Sequence, residues 1–358
     1  MVSPKYSVVI PTYNHLDDFL KPCLQSIIKY TDLNNTEVIV VANGCVDNTA
    51  SYVKELSITY PSIKLIDEKE GLGYTKATNI GIKASVGEYV VLLNNDTVLL
   101  EQNVNQWLEM LEQPFIDDPQ MGVTGPLWQD DKITNQKFII FFCAMIPRRV
   151  INSVGILDEV YSPGSGEDID YCIRAKQQGL KIQVVPYNTN LERKDNKIVA
   201  GNFPIYHYAE GTFENVENYS SVVFKRNSLI NLKKYNPLAR LHLTSRNDPN
   251  LLSSFIKVHK TAPSSDIIGD WSALPFDRNT IEEIALIDSF EDIPLTLLPN
   301  YTNEWYRVLR KGGRVVALIK HINAAVVCQA FIGSGFSITG TQKEGTDQLL
   351  IQAHRPLL

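Results

Sequence analysis

The chain contains no apolar stretch approaching the roughly 20 residues that a bilayer-spanning helix needs, although 44% of its 358 residues are hydrophobic. The apolar residues are therefore expected to fill cores. Cysteines are few: Cys23, Cys45, Cys143, Cys172 and Cys328 are scattered, odd in number and without C-x-x-C spacing. They read as reduced thiols, which supports neither a zinc site nor a disulfide framework. An excess of positive charge is missing too. Against 34 Lys and Arg stand 40 Asp and Glu, a net charge of −6, which gives no general electrostatic reason to bind nucleic acid or an anionic membrane. The start, Met1-Val2-Ser3-Pro4-Lys5, lacks a basic and apolar leader and runs at once into a strand. The expected location is cytoplasmic. Internal repeats and low-complexity segments are not visible.

What is present is alternation. This length predicts about two domains. Tyr6 to Ile10 is a β-rich run that stops at Pro11, and Leu16, Leu20, Leu24, Ile27 and Ile28 recur at helical spacing. Glu37 to Ala42 is a second buried strand, closed by the Asn43-Gly44 turn signal. A helix towards Ile58, a strand at Ile63 to Ile66, a helix at Thr75 to Ala84 and a strand at Tyr89 to Leu93 follow. Phe138 to Met145 and Ile182 to Val185 read as further strands, with a Glu167–Gln178 helix between them. Such a succession predicts an α/β fold with a mostly parallel sheet flanked by helices. A helical stretch from about Asn215 to Tyr235 leads to Asn236-Pro237, the expected boundary between a domain at 1–237 and a smaller α/β domain at 238–358.

Two polar strings stand out. Asn94-Asn95-Asp96-Thr97 closes the apolar run from Tyr89, and Gly166-Glu167-Asp168-Ile169-Asp170 opens a helix. An apolar strand ending in polar groups delivers them to the carboxyl edge of a sheet, where open α/β folds bind ligands. Hard divalent cations take oxygen ligands of this kind, and a second carboxylate held apart serves acid/base chemistry. Together they point to metal-assisted transfer from a nucleotide-activated donor. Pro11-Thr12-Tyr13-Asn14 could receive a base and ribose, or form a plain strand-to-helix turn. Asn43 and Asp47 could meet a pyrimidine edge, or Asp47 could cap its helix. Gly71-Leu72-Gly73, with Asn79 and Gly81 beyond, places glycines where backbone could approach phosphates. Asp96 has the rival reading of a helix cap before Val98, and Asp170 that of a surface ion pair with Arg174 worth a few tenths of a kcal/mol.

Taken in order, VVIPTYN, VIVVANGCVDNT, EGLGYTKATNIGI, GEYVVLLNNDT and GEDIDYCIRAKQQGLKIQVVP resemble glycosyltransferase family 2 over residues 5 to 235. The resemblance implies the GT-A fold and inverting transfer from a nucleotide sugar. It places Asn94-Asn95-Asp96 at the family's D-x-D motif, with Asp96 as ligand of Mn2+ or Mg2+ and Asn94 replacing the first aspartate. It makes Asp168 of the E-D motif the base, with Glu167 and Asp170 in support. Pro11, Thr12, Tyr13, Asn14, Asn43, Asp47, Gly71, Gly73, Asn79, Asn94 and Asn95 fall to the donor. Ile205-Tyr206-His207-Tyr208 followed by Gly211-Thr212-Phe213 resembles a late family segment whose histidine completes the metal site or contacts the diphosphate. Arg226-Asn227 is similar to another family element.

Further on, Gly269-Asp270-Trp271, Leu274-Pro275-Phe276 and Glu304 to Arg314 resemble a class I methyltransferase. That family binds S-adenosylmethionine at a glycine-rich turn, where this chain has Thr244-Ser245-Arg246. A degenerate, non-catalytic remnant is the resulting expectation.

The expected activity is that of a metal-dependent, inverting glycosyltransferase using a UDP-sugar, with dTDP-rhamnose the rival donor. Family habit implies a glycan or lipid-linked glycan acceptor in surface polysaccharide assembly, attachment at the inner face of the membrane, and compatibility with a homo-oligomer. The alternatives are a nucleotide-sugar-binding protein without turnover and a bifunctional glycosyltransferase and methyltransferase.

Overall fold

Thr36–Asn43 is buried along its whole length, which is what a continuous apolar run requires when helices cover both faces of a sheet. The computed structural model describes residues 3–185, 191–194, 197–200, 202–208, 219–236, 238–246, 252, 254–261, 265–343 and 348–357. The chain forms two compact units, one of residues 1–131 and 136–223, the other of 132–135 and 224–358.

In the first unit the strands are β1 (Tyr6–Thr12), β2 (Thr36–Asn43), β3 (Ile63–Glu68), β4 (Tyr89–Leu93), β5 (Thr97–Leu99), β6 (Met121–Gly125), β7 (Trp128–Asp131), β8 (Gln136–Ile139), β9 (Cys143–Pro147), β10 (Lys181–Val184), β11 (Leu191–Lys194), β12 (Lys197–Ala200) and β13 (Ile205–His207). The helices are α1 (Lys21–Tyr30), α2 (Thr49–Thr59), α3 (Tyr74–Ala84), α4 (Gln106–Asp117), α5 (Arg148–Val154) and α6 (Glu167–Gln177). A seventh, α7 (Tyr219–Tyr235), runs on into the second unit.

Among the described residues the main sheet has the order β10-β6-β9-β4-β1-β2-β3. Strands β1 to β4 are parallel, and β9 runs antiparallel to both β4 and β6. Val38 and Val40 of β2 join one core with Leu24, Ile27 and Trp107, while Ile39 and Val41 face Ala77 of α3. Each such fully buried aliphatic side chain contributes about 1.5–3 kcal/mol. At the amino edge Glu37, only 3% exposed, accepts hydrogen bonds from Ser7, Lys64 and the Val86 backbone. Its buried charge is thereby satisfied at the edge opposite the candidate site. A smaller sheet, β11-β12-β13-β5, stands beside the main one.

Three expectations are corrected. Strand β1 continues through Pro11 to Thr12. Its pairing with β4 ends at Val9 while that with β2 continues, so Pro11 lies on a locally unpaired edge where a missing N–H is tolerated. The single strand expected over Phe138 to Met145 is broken between β8 and β9 at residues 140–142. Asp96 caps no helix, because Thr97–Leu99 is a strand.

The second unit contains β14 (Ala239–Leu243), β15 (Ile256–His259), β16 (Ile267–Ile268), β17 (Ile281–Leu286), β18 (Leu309–Lys320), β19 (Ser337–Lys343) and β20 (Gln348–His354), with helices α8 (Leu298–Val308) and α9 (Ala324–Gly333). Its sheet order is β16-β15-β14-β17-β18-β20-β19, parallel except for β20, which is antiparallel to both its neighbours. Its core holds Trp271, Trp305, Phe290 and Phe331, and takes in Leu232 from the end of α7. The division between the units falls inside α7, ahead of the Asn236-Pro237 expected from sequence; Pro237 lies outside the described residues.

Candidate active site

Strand order places the switch point between β1 and β4, where open α/β sheets form their ligand crevice. Beyond Leu93, Asn94 donates its backbone N–H to the Phe142 carbonyl at 2.8 Å. Its own carbonyl accepts the Thr97 hydroxyl at 2.7 Å. Asn95 is turned inward and donates from Nδ2 to Thr12 Oγ1 at 2.9 Å. Strand β13 pairs with β5 so that His207 lies opposite Thr97, and the Tyr208 N–H reaches the Asp96 carbonyl at 3.0 Å. The His207 ring stacks on Phe142, with centroids 4.3 Å apart and planes 6° apart.

This brings Asp96 and His207, far apart in sequence, to an Oδ1–Nε2 distance of 3.2 Å. The approach is close but not aligned as a hydrogen bond. Asp96 Oδ1, both His207 ring nitrogens and Asn94 Oδ1 are buried without hydrogen-bond partners. Leaving such groups unpaired costs about 1–3 kcal/mol each, and a group of them calls for an ion or water. Amide oxygen, carboxylate and imidazole suit a divalent cation. Among the described residues no group of three or more His, Cys, Asp or Glu could hold a metal, so a cation here would need oxygens from a ligand as well.

Of the residues expected to meet the donor, Tyr13 is open, at 45% exposure. Asn14 is left-handed (φ 53°), and its Oδ1 accepts the Val46 N–H at 2.8 Å. Asp47 accepts the N–H groups of Leu16 and Thr49 at 3.2 and 3.1 Å. Asn43 Oδ1 accepts the Leu72 N–H at 2.7 Å and so fixes the Gly71–Leu72 turn. Pro11 and Thr12 are buried within β1. Gly73 has φ +82°, and a Cβ there would meet Pro163 Cα at 2.4 Å; close packing of backbone on backbone demands glycine. Asn79 is fully buried, with its amide joined to both backbone groups of Leu157 and to Glu159. These side chains hold the loops around the crevice in shape, and the amide of Asn79 is committed to that task.

Helix α6 starts at Glu167 after a left-handed Gly166, and its positive end favours carboxylates in the first turn. Glu167 is buried with Oε2 unpartnered. Burial and the neighbouring Asp168 charge push its pKa upward. Asp168 is half-buried; desolvation raises its pKa, partly offset by the hydrogen bond its Oδ1 accepts from the Ile169 N–H at 2.8 Å. Asp170 departs from expectation. It is fully buried, and its ion pair with Arg174 at 2.7 Å is internal rather than on the surface. Arg174 also donates to the carbonyls of Val154 and Ile156 at 2.8 and 2.9 Å, so Asp170 anchors α6. Arg226 donates to the adjacent Asn227 at 2.9 Å. Gly211, Thr212 and Phe213 lie outside the described residues.

Sequence reasoning missed Phe142, whose ring stacks on His207 and whose carbonyl accepts the Asn94 N–H; it reads as the inside of a strand.

Residues 7–163 match the model of glycosyl transferase family 2. This stretch of the first unit is thus similar to family 2 glycosyltransferases. Glycosyltransferase GlyA of Streptococcus pneumoniae serotype 4 is 35% identical to it over 161 residues, which cover 45% of this chain and 22% of GlyA. The uncharacterized glycosyltransferase YibD of Escherichia coli K12 is 30% identical over 131 residues, 35% of this chain and 37% of YibD. The chain thus spans less than half the length of these relatives. Among solved structures, the mannosyltransferase PcManGT from Pyrobaculum calidifontis, in complex with GDP-Man and Mn2+, superimposes with a TM-score of 0.42 at 20% identity, covering 52% of this chain and 55% of that one. The matched residues include the Asn94–Thr97 string, while the Gly166–Asp170 string at the start of α6 lies just beyond them.

Proposed function

We propose that the first unit transfers a sugar from a nucleoside-diphosphate donor, a UDP-sugar first among candidates, to a hydroxyl acceptor with inversion. The observation that carries the reading is the set of buried, unpartnered polar atoms after β4: Asn94 Oδ1, Asp96 Oδ1 and His207 Nε2. Asp96, His207 and Asn94 would hold Mn2+ or Mg2+. Such a cation supplies Lewis-acid stabilisation of the charge on a departing diphosphate. Tyr13, exposed at the end of β1, offers a ring face for a base. Asp168 would accept the proton of the acceptor hydroxyl as that oxygen bonds to the anomeric carbon. The bond from that carbon to the diphosphate breaks, and the nucleoside diphosphate leaves with the electron pair. A raised Asp168 pKa suits a base that must take a proton near neutral pH. Relatives such as the minor teichoic acid biosynthesis protein GgaB of Bacillus subtilis 168, 28% identical over 109 residues and covered for 12% of its length, favour a glycan acceptor in surface polymer assembly. No helix among the described residues is long and apolar enough to cross a membrane.

The test is calorimetric titration with UDP, GDP and dTDP, each with Mn2+ and with excess chelator, followed by assay of UDP release from UDP-sugars. Cation-dependent UDP binding and release of UDP are expected. Absence of nucleotide binding under every condition would overturn the reading.

For the second unit we infer a methyltransferase-like remnant that binds no cofactor. Its parallel strands share the doubly wound order, with a switch point between β14 and β17. The support for closure is that side chains already fill that place. Thr244 Oγ1 donates to Asp288 at 2.9 Å, and Ser245 N and Oγ reach Ser289 Oγ at 2.8 and 2.9 Å.

A further inference from the structure

Four neighbouring strands of the second unit, β14, β17, β18 and β20, bring one charged or titratable residue each into a single transverse row. Arg240 stands opposite Glu283, Glu283 opposite Arg314, and Arg314 opposite His354. Residues directly opposite on paired strands share a face. One position away, Leu241, Ile284, Val315 and Ala353 turn into the core, so the row lies on the other face of the sheet. It crosses the amino ends of β14 and β17, the edge opposite Thr244 and Asp288. A cavity of about 400 Å³ opens over it and is lined further by Arg310, Glu282 and Gly312.

The guanidinium groups of this cavity are only partly used. Arg314 gives Nε to Glu283 Oε1 at 2.9 Å, and its two terminal nitrogens make no hydrogen bond among the described residues. Arg310 gives Nη2 to Glu282 at 2.7 Å and Nη1 to the Lys311 carbonyl at 3.2 Å, while its Nε is buried without a partner. A buried donor in that state calls for an ion or water. Arg240 makes no hydrogen bond or ion pair among the described residues; its guanidinium lies 4.6 Å from the centroid of the Phe255 ring. Three guanidinium groups thus face two carboxylates in the lining, a local positive surplus in a chain of net charge −6. The rim is braced, because the N–H groups of Gly312 and Arg355 bond the carbonyls of Arg355 and Gly313, each at 2.9 Å.

We propose that this cavity is an anion site that takes the phosphate group of a small phosphate monoester, with Arg240, Arg310 and Arg314 as its donors. Guanidinium groups present paired N–H donors that match phosphate oxygens. Three of them, carried on separate strands, suit a tetrahedral dianion with three terminal oxygens. A carboxylate, with two oxygens and one charge, would leave part of the set unused. The volume falls within the roughly 300–1,000 Å³ of small-molecule sites, which leaves room beside the phosphate for the organic part of an ester. Glu282 and Glu283 hold Arg310 and Arg314 in place, and a bound dianion competes with them for the same charge. Every lining residue belongs to the second unit, so the site stands whether or not the first unit binds a nucleotide.

Isothermal titration of the full chain with inorganic phosphate, ribose 5-phosphate and acetate tests this. Both phosphates should bind saturably, the ester more tightly, and acetate should not. Arg240→Ser and Arg314→Ser should each weaken ester binding by about tenfold or more, the usual effect of losing a hydrogen bond to a charged group. Glu282→Gln should act in the opposite direction and tighten it, since it removes a competing charge and keeps the shape. A merely structural ion-pair network would lower Tm in these variants without that change of sign. Absence of saturable phosphate binding at millimolar concentration would overturn the site, as would equal ester affinity in the wild type and in folded arginine variants. Should either arginine variant fail to fold, Glu282→Gln decides alone, and unchanged affinity there overturns the proposal. Acetate bound as tightly as the ester would overturn the assignment to phosphate, and inorganic phosphate bound as tightly would overturn the assignment to an ester.

Discussion

Asp96 Oδ1 lies 3.2 Å from His207 Nε2, yet the two do not form an aligned hydrogen bond. Both are more than nine-tenths buried. An imidazole and a carboxylate free to settle their own geometry would align. Here the imidazole is held against Phe142, and both groups are fixed by the pairing of β13 with β5. Nearby, Asn94 Oδ1 is likewise buried and unpaired.

The first prediction follows from that geometry. UDP should bind more tightly with Mn2+ than in excess chelator, and His207→Ala should abolish the difference while leaving the chelator-treated affinity as it was. Phe142→Leu, which removes the ring against His207, should weaken the cation-dependent part by about tenfold or more, as loss of outer contacts to a metal ligand does. Isothermal titration of the three proteins measures this directly. Equal affinities with and without Mn2+ in the wild type would remove the cation from the site.

Asp168→Asn should preserve UDP binding and lower turnover by about 10²–10⁴-fold, the usual span of a general base. In the wild type, burial raises the Asp168 pKa to about 6. Activity needs the ionised carboxylate, so kcat/KM should fall as pH drops through that region and be retained above it. A profile flat down to pH ~4, the ordinary range of carboxylates, would move the base elsewhere.

Asp170→Asn should damage the fold rather than the chemistry. Its carboxylate is fully buried against Arg174, and removing one partner of a buried pair costs about 3–5 kcal/mol. Denaturant unfolding followed by circular dichroism should show a loss of that order, against a few tenths of a kcal/mol for a surface pair.

These cases mark what was legible in the sequence. The apolar runs of β1, β2 and β4 fixed a parallel sheet and told which residues stand at its carboxyl edge, because short-range pattern alone decides both. Asp96 and Asp168 were singled out as candidates in the same way, as polar groups ending or opening regular elements. The burial of Asp170 was not legible: it depends on Arg174 being tied to the carbonyls of Val154 and Ile156, which no i,i+4 spacing reveals. The meeting of His207 with Asp96 was expected only from the family resemblance, since it depends on the antiparallel pairing of two three-residue strands. The break at Phe141 and Phe142 was hidden for the opposite reason, since two apolar residues between strands look like more strand.

The last prediction concerns the second unit, which should show no saturable binding of S-adenosylmethionine. Its sheet has the doubly wound order, so the crevice outside β14 and β17 is where a nucleotide cofactor would enter. Cofactor approach there needs residues without Cβ, and the chain supplies Thr244, Ser245 and Arg246. Those side chains are also committed. Thr244 and His242 both reach Asp288, while Ser245 bonds Ser289 and Asp292. To admit a ligand the unit would have to break this network in a place where Thr244, Asp288 and Ser289 are all buried, at about 1–3 kcal/mol for each group left unpaired. Equilibrium dialysis of the whole chain with labelled S-adenosylmethionine decides the matter. Retention no greater than for a protein without a cofactor site is expected; saturable binding at micromolar concentration would show that the network opens, and would restore a second activity to this chain.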